Sequence, residues 1–396
     1  MEGKIDKYDM ESLWFNDFAG TPERCWFAAG NINGLFAANL VTGEAIFLKR
    51  FSKAKEWRKC LYECCVKYAN KILFAPGLAD NIAIYDVEED ELIEIPLVSN
   101  MLIPDVKVIS IVQYDNFCFL IGNITPVIIC VNLLNNDISY DYNIFDVKEF
   151  ADELIMDGYW WDKDIIKKEN SFIVVSHKLC IYLEYDIKTR NAELHRLNTY
   201  LFESGVYALN ADMYAYSYGK EKIFIVKNKN KNEFLIKEEI CQKFQKFVCS
   251  HLTNDTYYIF TDANVIIKID LSINEIEYFN VDEYQIPFII EGKLFEFFRC
   301  IKIINNEMYL LQAGGNYMKK YDLQCRELFR TRVIPYNKSM LDLGSAKYYL
   351  ENIVMETVSN PFSDCESLVK LIPQMCDKSN RKDANDNIGK KIYSYL

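Results

Sequence analysis

Aromatic, arginine and carboxylate side chains cluster in four short segments that precede predicted strands: KEWRKCLY from Lys55, MDGYWWDKD from Met156, LFESGVY from Leu201 and LFEFFRC from Leu294. Together with Trp14, the candidate binding residues are Trp57, Arg58, Trp160, Trp161, Asp162, Glu203, Glu296, Phe298 and Arg299. Tryptophan and arginine near a concave surface suit an anchor site for a peptide, a protein loop or a sugar. Carboxylates such as Asp162, Glu203 and Glu296 can instead do acid–base or nucleophilic work when two of them lie about 5 to 10 Å apart.

Each of these aromatic residues has a second interpretation, in which it packs between neighbouring sheets rather than binding a partner. The adjacent pair Trp160 and Trp161 is informative here, because successive residues of a strand point to opposite faces. We therefore expect the two indole rings to differ in burial.

Known catalytic motifs are missing from the sequence. It contains no G-x-S-x-G, G-x-x-x-x-G-K-[ST], G-x-G-x-x-G or H-E-x-x-H segment. The three histidines, His177, His195 and His251, are widely spaced, and no C-x-x-C pair occurs among the 13 cysteines. We predict no metal site, no cofactor and no catalytic residue, and we expect the cysteines to be reduced residues of the core.

The charge of the chain limits its partners. A net charge of −12 and a pI near 5.0 argue against binding to nucleic acid or to an anionic membrane, because both need clustered Lys and Arg. The first ten residues hold no apolar run, and no 18 consecutive apolar residues occur. These features predict a cytoplasmic protein, and the high content of Ile, Lys, Asn and Tyr suggests a bacterial source.

A repeated unit organises most of the chain. Each copy has an alternating apolar strand ending in Asp or Asn, a polar turn and a second alternating strand, as in NGLFAANLVTGEAIFL from Asn33. Another apolar segment, preceded by an Asn-rich turn, lies ahead of each copy after the first. The marker residues, 42 to 54 positions apart, are Asn39, Asp86, Asn132, Asp186, Asn228, Asp270 and Asp322. Asp and Asn tolerate the left-handed backbone of tight turns, and we expect the markers to cap these turns.

Four antiparallel strands per repeat are typical of a β-propeller blade. The chain resembles a seven-bladed β-propeller over residues 1–342, with each blade contiguous in sequence and built from four strands. The turn Asn39-Leu40-Val41-Thr42-Gly43-Glu44 is similar to the blade turn of quinoprotein-type (PQQ-like) repeats, although only this copy has the Thr-Gly pair. That turn makes a quinone cofactor a weaker alternative to having none.

The spacing of apolar residues predicts helices rather than strands in two segments. Residues 343–396 have apolar residues at helical spacing, with Ser345 and Ser363 placed as N-caps, and predict a short helical C-terminal extension. Residues 143–158, ahead of the Trp160 and Trp161 pair, predict a short inserted helix. Either segment can shape a binding face.

Two functions from different classes remain open. The first is a non-catalytic binding or scaffolding propeller that recognises a protein or peptide through an aromatic and Arg-rich channel face, with a small ligand or sugar as another occupant. The second is a propeller enzyme, a lyase or glycan-acting hydrolase that uses channel-face carboxylates. The missing catalytic motifs favour the first.

Overall fold

A computed structural model describes residues 13–335 with gaps at 14, 31, 53–60, 98–106, 123–126, 143–160, 162–164, 177–180, 197–206, 211–212, 228–229, 246, 254, 264, 282–287, 291–292, 296–297, 305, 313–316 and 333. All described residues belong to the first of the chain's two units, residues 1–344. The predicted C-terminal helices (343–396) and the predicted inserted helix (143–158) lie outside the described residues.

Small antiparallel sheets account for most of the described chain. Sheet 1 contains β1 (Ala19–Gly20), β2 (Arg24–Ala28), β3 (Leu35–Asn39), β4 (Glu44–Lys49) and β31 (Ile334–Pro335). Sheet 2 contains β5 (Tyr62–Tyr68), β6 (Lys71–Pro76), β7 (Asn81–Asp86) and β8 (Glu91–Pro96). Sheet 3 contains β9 (Val108–Tyr114), β10 (Phe117–Gly122), β11 (Val127–Asn132) and β12 (Asp137–Tyr142). Sheet 4 contains β13 (Ile165–Lys167), β14 (Ser171–Ser176), β15 (Ile181–Asp186) and β16 (Ala192–Arg196).

The second half of the chain repeats this pattern. Sheet 5 contains β17 (Tyr207–Asn210), β18 (Met213–Tyr218), β19 (Lys222–Lys227) and β20 (Asn230–Leu235), and a one-turn helix α1 (Glu238–Cys241) follows it. Sheet 6 contains β21 (Phe247–Leu252), β22 (Thr256–Thr261), β23 (Val265–Asp270) and β24 (Glu275–Asn280). A ribbon of β25 (Phe288–Ile290) and β26 (Lys293–Phe295) precedes sheet 7, which contains β27 (Phe298–Ile304), β28 (Glu307–Gln312), β29 (Tyr317–Asp322) and β30 (Glu327–Arg332).

The turn between the third and fourth strands is built the same way in most sheets. The side chain of Asp186 accepts hydrogen bonds from the backbone N–H groups of Lys188 and Thr189 at 2.9 and 2.7 Å, and its carbonyl accepts the N–H of Arg190 at 2.8 Å. Corresponding side-chain bonds are made by Asn39, Asp86, Asn132, Asp270 and Asp322. The predicted role of these marker residues as turn caps is confirmed, while Asn228 lies outside the described residues.

The same turn explains the Thr-Gly pair that resembles quinoprotein repeats. Four residues after the marker the backbone is left-handed, with φ of 78° at Gly43, 50° at Asp90, 62° at Asn136, 59° at Arg190 and 56° at Asn274. Glycine is therefore one of several residue types that adopt the left-handed conformation required at this turn position. The similarity to PQQ-like repeats stays weak, because it rests on one copy.

Successive sheets pack face to face around a common axis. Contacts link the first strands of neighbouring sheets in the series β1, β5, β9, β13, β17, β21 and β27. The hydrophobic clusters are shared in the same order; one contains Phe74 with Phe51 and Trp26, and another contains Phe119 with Phe172 and Tyr185. Each sheet thus buries both faces against its neighbours, and the first strands lie innermost.

The last sheet packs against the first. Tyr309 and Leu311 of sheet 7 share a hydrophobic cluster with Phe18 and Phe27 of the N-terminal segment. The ammonium group of Lys302 lies 2.6 Å from a carboxylate oxygen of Asp17 and donates a hydrogen bond to the Phe18 carbonyl. The sheets therefore form a closed ring, and the described chain is an all-β propeller.

The predicted uniform set of seven four-stranded blades is wrong in detail. Six sheets have four strands, whereas sheet 1 has five, because Ile334–Pro335 pairs in parallel with Glu44 and Ala45 of β4. Sheet 1 is therefore not contiguous in sequence. Alternation within the N-terminal strands could not reveal this, since the added strand comes from the other end of the propeller.

Candidate functional site

A cavity of about 560 Å³ lies along β9, between the ends of β5 and β13. Its lining residues are Tyr68 from β5, Ser110, Ile111, Val112 and Gln113 from β9, Asp115 from the following turn, and Ile165 and Lys167 from β13. These are the first, innermost strands of three consecutive sheets. Tyr68, Asp115 and Lys167 place the cavity near the C-terminal ends of these strands.

The backbone of β9 borders this cavity. The two-residue turn Asp115–Asn116 pairs Tyr114 with Phe117, so the main-chain groups of Tyr114 and Val112 bond to β10. The main-chain groups of Ile111 and Gln113 then face away from β10, toward the cavity. Consistent with this alternation, the carbonyl of Ile109 accepts a hydrogen bond from the Cys64 thiol at 3.1 Å. The cavity therefore has a strand edge as one wall.

On the sheet 4 side of the cavity, the ring of Tyr114 contacts the side chain of Lys167. The Lys167 ammonium group lies 4.7 Å from the centroid of the Tyr114 ring, a cation–π distance. The Tyr114 hydroxyl donates to the carbonyl of Ser171, and burial raises the pKa of Tyr114 to about 12. Tyr114 is thus neutral and fixed, and it positions an exposed cation at the rim of the cavity.

The turn after β9 completes the rim. Asp115 is left-handed, with φ of 48°, and its carbonyl accepts the Gln113 side-chain amide at 3.0 Å. Asn116 donates to Asn132 at 2.7 Å and so joins the two turns of sheet 3. The cavity presents an amide, a carboxylate, a cation and apolar side chains, which together can bind a polar group by hydrogen bonds and ion pairing.

Of the ten predicted binding residues, the structure describes the side chain of Trp161 alone. This side chain is 2% exposed and belongs to the cluster shared by sheets 3 and 4, which is the packing interpretation. Phe298 and Arg299 begin β27, but their side chains are not described. Outside the described residues lie Trp14, Trp57, Arg58, Trp160, Asp162, Glu203 and Glu296. The binding role of this set and the enzyme alternative therefore stay predictions.

The segment that joins β4 to β5 carries two predicted binding residues, Trp57 and Arg58, and its two described ends join one hydrogen-bonded network through Glu94 and Asn81. The Ser52 N–H and hydroxyl donate to one Glu94 carboxylate oxygen at 2.6 and 3.0 Å. Asn81 donates to the other at 2.9 Å and accepts the Tyr62 hydroxyl at 2.5 Å. Burial, with the nearby Glu94 carboxylate, raises the pKa of Tyr62, so Tyr62 is neutral and donates its hydroxyl hydrogen to Asn81.

Metal binding and disulfide formation each need a particular arrangement of titratable side chains in the described part of the chain. No group of three or more His, Cys, Asp or Glu side chains there can hold a metal ion. The eight cysteines whose side chains are described form no disulfide, and burial raises the pKa of Cys25 to about 12. Burial lowers the pKa of His251 on innermost strand β21. No described helix is long and apolar enough to cross a bilayer.

The sequence analysis missed the cavity residues. Tyr68, Gln113 and Lys167 carry no motif, and each is an ordinary residue of an alternating strand. The signal that could have found them is positional: each stands at or near the end of an innermost strand, just before the Asn-rich turns at Asn70, Asn116 and Asn170.

Comparison with known proteins identifies the fold and no family. No family model matches the sequence, and no curated protein matches it. Among solved structures, PorZ of Porphyromonas gingivalis, a surface component of the type-IX secretion system, is 11% identical with a TM-score of 0.52. The match covers 81% of this chain and 38% of PorZ. Virginiamycin B lyase from Staphylococcus aureus is 12% identical over 77% of this chain and 93% of the lyase, with a TM-score of 0.50. At such identities the similarity shows a propeller fold alone.

Proposed function

We propose that this protein is a non-catalytic binding propeller that takes up an extended segment of a partner protein in its channel mouth. The observation that carries the proposal is the 560 Å³ cavity walled by the edge of β9. An extended peptide can pair with main-chain groups at a strand edge, while adjoining pockets select its side chains. Ile111 and Gln113 supply the main-chain groups, and Tyr68, Asp115 and Lys167 supply the side-chain contacts.

In this proposal the five-stranded sheet 1 closes the ring of the propeller. Parallel pairing of Ile334–Pro335 with β4 and the contact of Lys302 with Asp17 join the two ends of the propeller. The protein acts in the cytoplasm, and the cysteines among the described residues, which form no disulfide, fit a reducing compartment.

The test uses one backbone change and its matched control. Gln113→Pro removes an N–H that faces the cavity and leaves the β9–β10 hydrogen bonds in place, whereas Gln113→Ala removes the side chain and keeps the N–H. A phage-displayed library of random dodecapeptides is selected on the full chain, and enriched peptides are measured by fluorescence anisotropy against both variants.

We expect peptide binding to weaken about tenfold or more in Gln113→Pro and less than threefold in Gln113→Ala, since one main-chain hydrogen bond and its pairing geometry are lost. Circular dichroism of both variants checks that the fold persists. If no peptide is enriched, or if enriched peptides bind Gln113→Pro as well as the wild type, the channel mouth is not a peptide site.

A further inference from the structure

The cavity has an apolar wall on each side of the β9 edge. Toward sheet 2 the wall is formed by Tyr68 and Ile111, which pack against the cluster shared by sheets 2 and 3. Toward sheet 4 it is formed by Val112 and Ile165, which belong to or pack against the cluster shared by sheets 3 and 4. Successive side chains of an extended segment point to opposite sides. Two adjacent side chains of a segment that lies along β9 therefore both meet apolar surface.

The charges that line the cavity cancel. Among the lining residues that the structure describes, Asp115 and Lys167 are the charged ones, and both are exposed at the end of the cavity next to the turns. Ser110 and Gln113 supply uncharged hydrogen-bonding groups. A charged side chain that enters the cavity is therefore attracted by one of these two charges and repelled by the other.

The charges beside the cavity also favour neither sign. At the ends of β5 and β13 and on β15 there are two cations and two carboxylates: Lys67, Lys168, Glu169 and Glu184. Lys168 is paired with Glu184 at 2.8 Å, and Lys67 donates to the Ala69 carbonyl. Lys71, at the start of β6, donates to the Leu133 carbonyl at 2.7 Å, on the outer turn of sheet 3. The described residues around the cavity therefore do not select for a charge of either sign.

We infer that the partner segment is uncharged where it lies along β9, with two adjacent apolar residues at the level of Ile111 and an uncharged polar residue at the level of Asp115. This inference rests on the proposed peptide-binding function. An ion that moves from water into the cavity loses hydration, which a paired counter-charge would have to offset. An ion pair with exposed Asp115 or Lys167 contributes little, because water and salt screen it. An uncharged polar side chain keeps its hydrogen bonds without this cost.

The first experiment changes the peptide. Dodecapeptides selected on the full chain are scanned with alanine to find the apolar residues that contribute to binding, and each of these is then replaced by Ser, Lys or Glu. We expect Ser to weaken binding about fivefold through the lost apolar contact, and Lys and Glu each to weaken it about fiftyfold. The same replacements at alanine-insensitive positions are the control, and should change the dissociation constant by less than about twofold.

The second experiment removes one of the two lining charges. Asp115→Asn leaves Lys167 as the charged residue of the described lining, and asparagine tolerates the left-handed backbone of this position, where φ is 48°. We expect this variant to bind the Glu-substituted peptide about fivefold more tightly than the wild type does. Glu275→Gln is the matched control, because it removes one negative charge at an exposed position of β24 and should leave that affinity unchanged.

Salt provides a third measurement on the same peptides. Their affinity for the wild type should change less than about twofold between about 50 and about 500 mM NaCl, since no net ion pair forms. A Lys- or Glu-substituted peptide that binds as well as the Ser-substituted one, or a roughly tenfold loss of affinity at high salt, would overturn this inference. The proposed function would still stand if Gln113→Pro weakened binding of the same peptides. An absence of enriched peptides would overturn both.

Discussion

Replacement of Trp161 distinguishes packing from partner binding more sharply than any other change. The side chain is 2% exposed within the cluster shared by sheets 3 and 4. A buried tryptophan removes about 200 Å² from solvent, which at about 25 cal/mol per Å² corresponds to about 5 kcal/mol. Large-to-small core substitutions cost about 3 to 5 kcal/mol. We therefore expect Trp161→Ala to lower the free energy of unfolding by about 4 kcal/mol, and Trp161→Phe by about 2 kcal/mol.

The measurement is urea unfolding followed by far-ultraviolet circular dichroism, which does not depend on the tryptophan that is removed. Leu134→Ala serves as the control, because this residue is 68% exposed and its replacement should cost less than about 0.5 kcal/mol. An anchor residue for a partner would leave the unfolding midpoint unchanged. A midpoint for Trp161→Ala equal to that of the control would therefore refute the packing assignment.

Three further changes test the ring and its turns. Lys302→Met should lower the free energy of unfolding by about 2 kcal/mol, measured in urea, because the largely buried Asp17 carboxylate keeps its bond to the Cys65 N–H but loses its paired ammonium group. Lys222→Met, in the more exposed pair with Glu233, should lower it by under about 0.5 kcal/mol, and equal losses would contradict a ring-closing role for Lys302. Gly43→Ala should cost about 1 kcal/mol by forcing a left-handed alanine, and an unchanged midpoint would show that the turn relaxes. The Ser272 hydroxyl and backbone N–H hold the pKa of Asp270 below its usual value, so its stabilising effect is present above about pH 5 and lost as the pH falls below 4. Asp270→Asn should therefore lose less stability than wild type between pH 5 and pH 3 in urea titrations, and parallel losses would exclude this role.

The turns could be predicted from sequence because their chemistry is local. An Asp or Asn side chain caps the N–H groups two and three residues ahead, and a left-handed residue follows at the fourth position. All the groups involved lie within five residues of chain. Strand alternation is equally local, which is why the repeat and the propeller architecture could be predicted without a structure.

Sheet 1 and its closure could not be predicted, because they depend on residues at opposite ends of the propeller. Lys302 bonds to the Phe18 carbonyl across 284 residues of sequence, and Ile334–Pro335 adds to β4 in parallel. Neither segment has a sequence pattern that indicates which distant residues it will contact. The burial of Trp161 could not be predicted either. Strand alternation indicates that Trp160 and Trp161 point to opposite faces, but it does not show which of the two faces the neighbouring sheet.

The sequence by itself therefore determined the repeat, the turn caps and the acidic balance of this protein, since each follows from residue type and short-range geometry. Only the tertiary structure located the cavity proposed here as a binding site. The cavity forms because the innermost strands of three sheets converge on one channel, bringing Tyr68, Gln113 and Lys167 together around the edge of β9. Each of these residues fits the alternating pattern of its own strand. Their proximity arises only when the three sheets pack side by side in the ring.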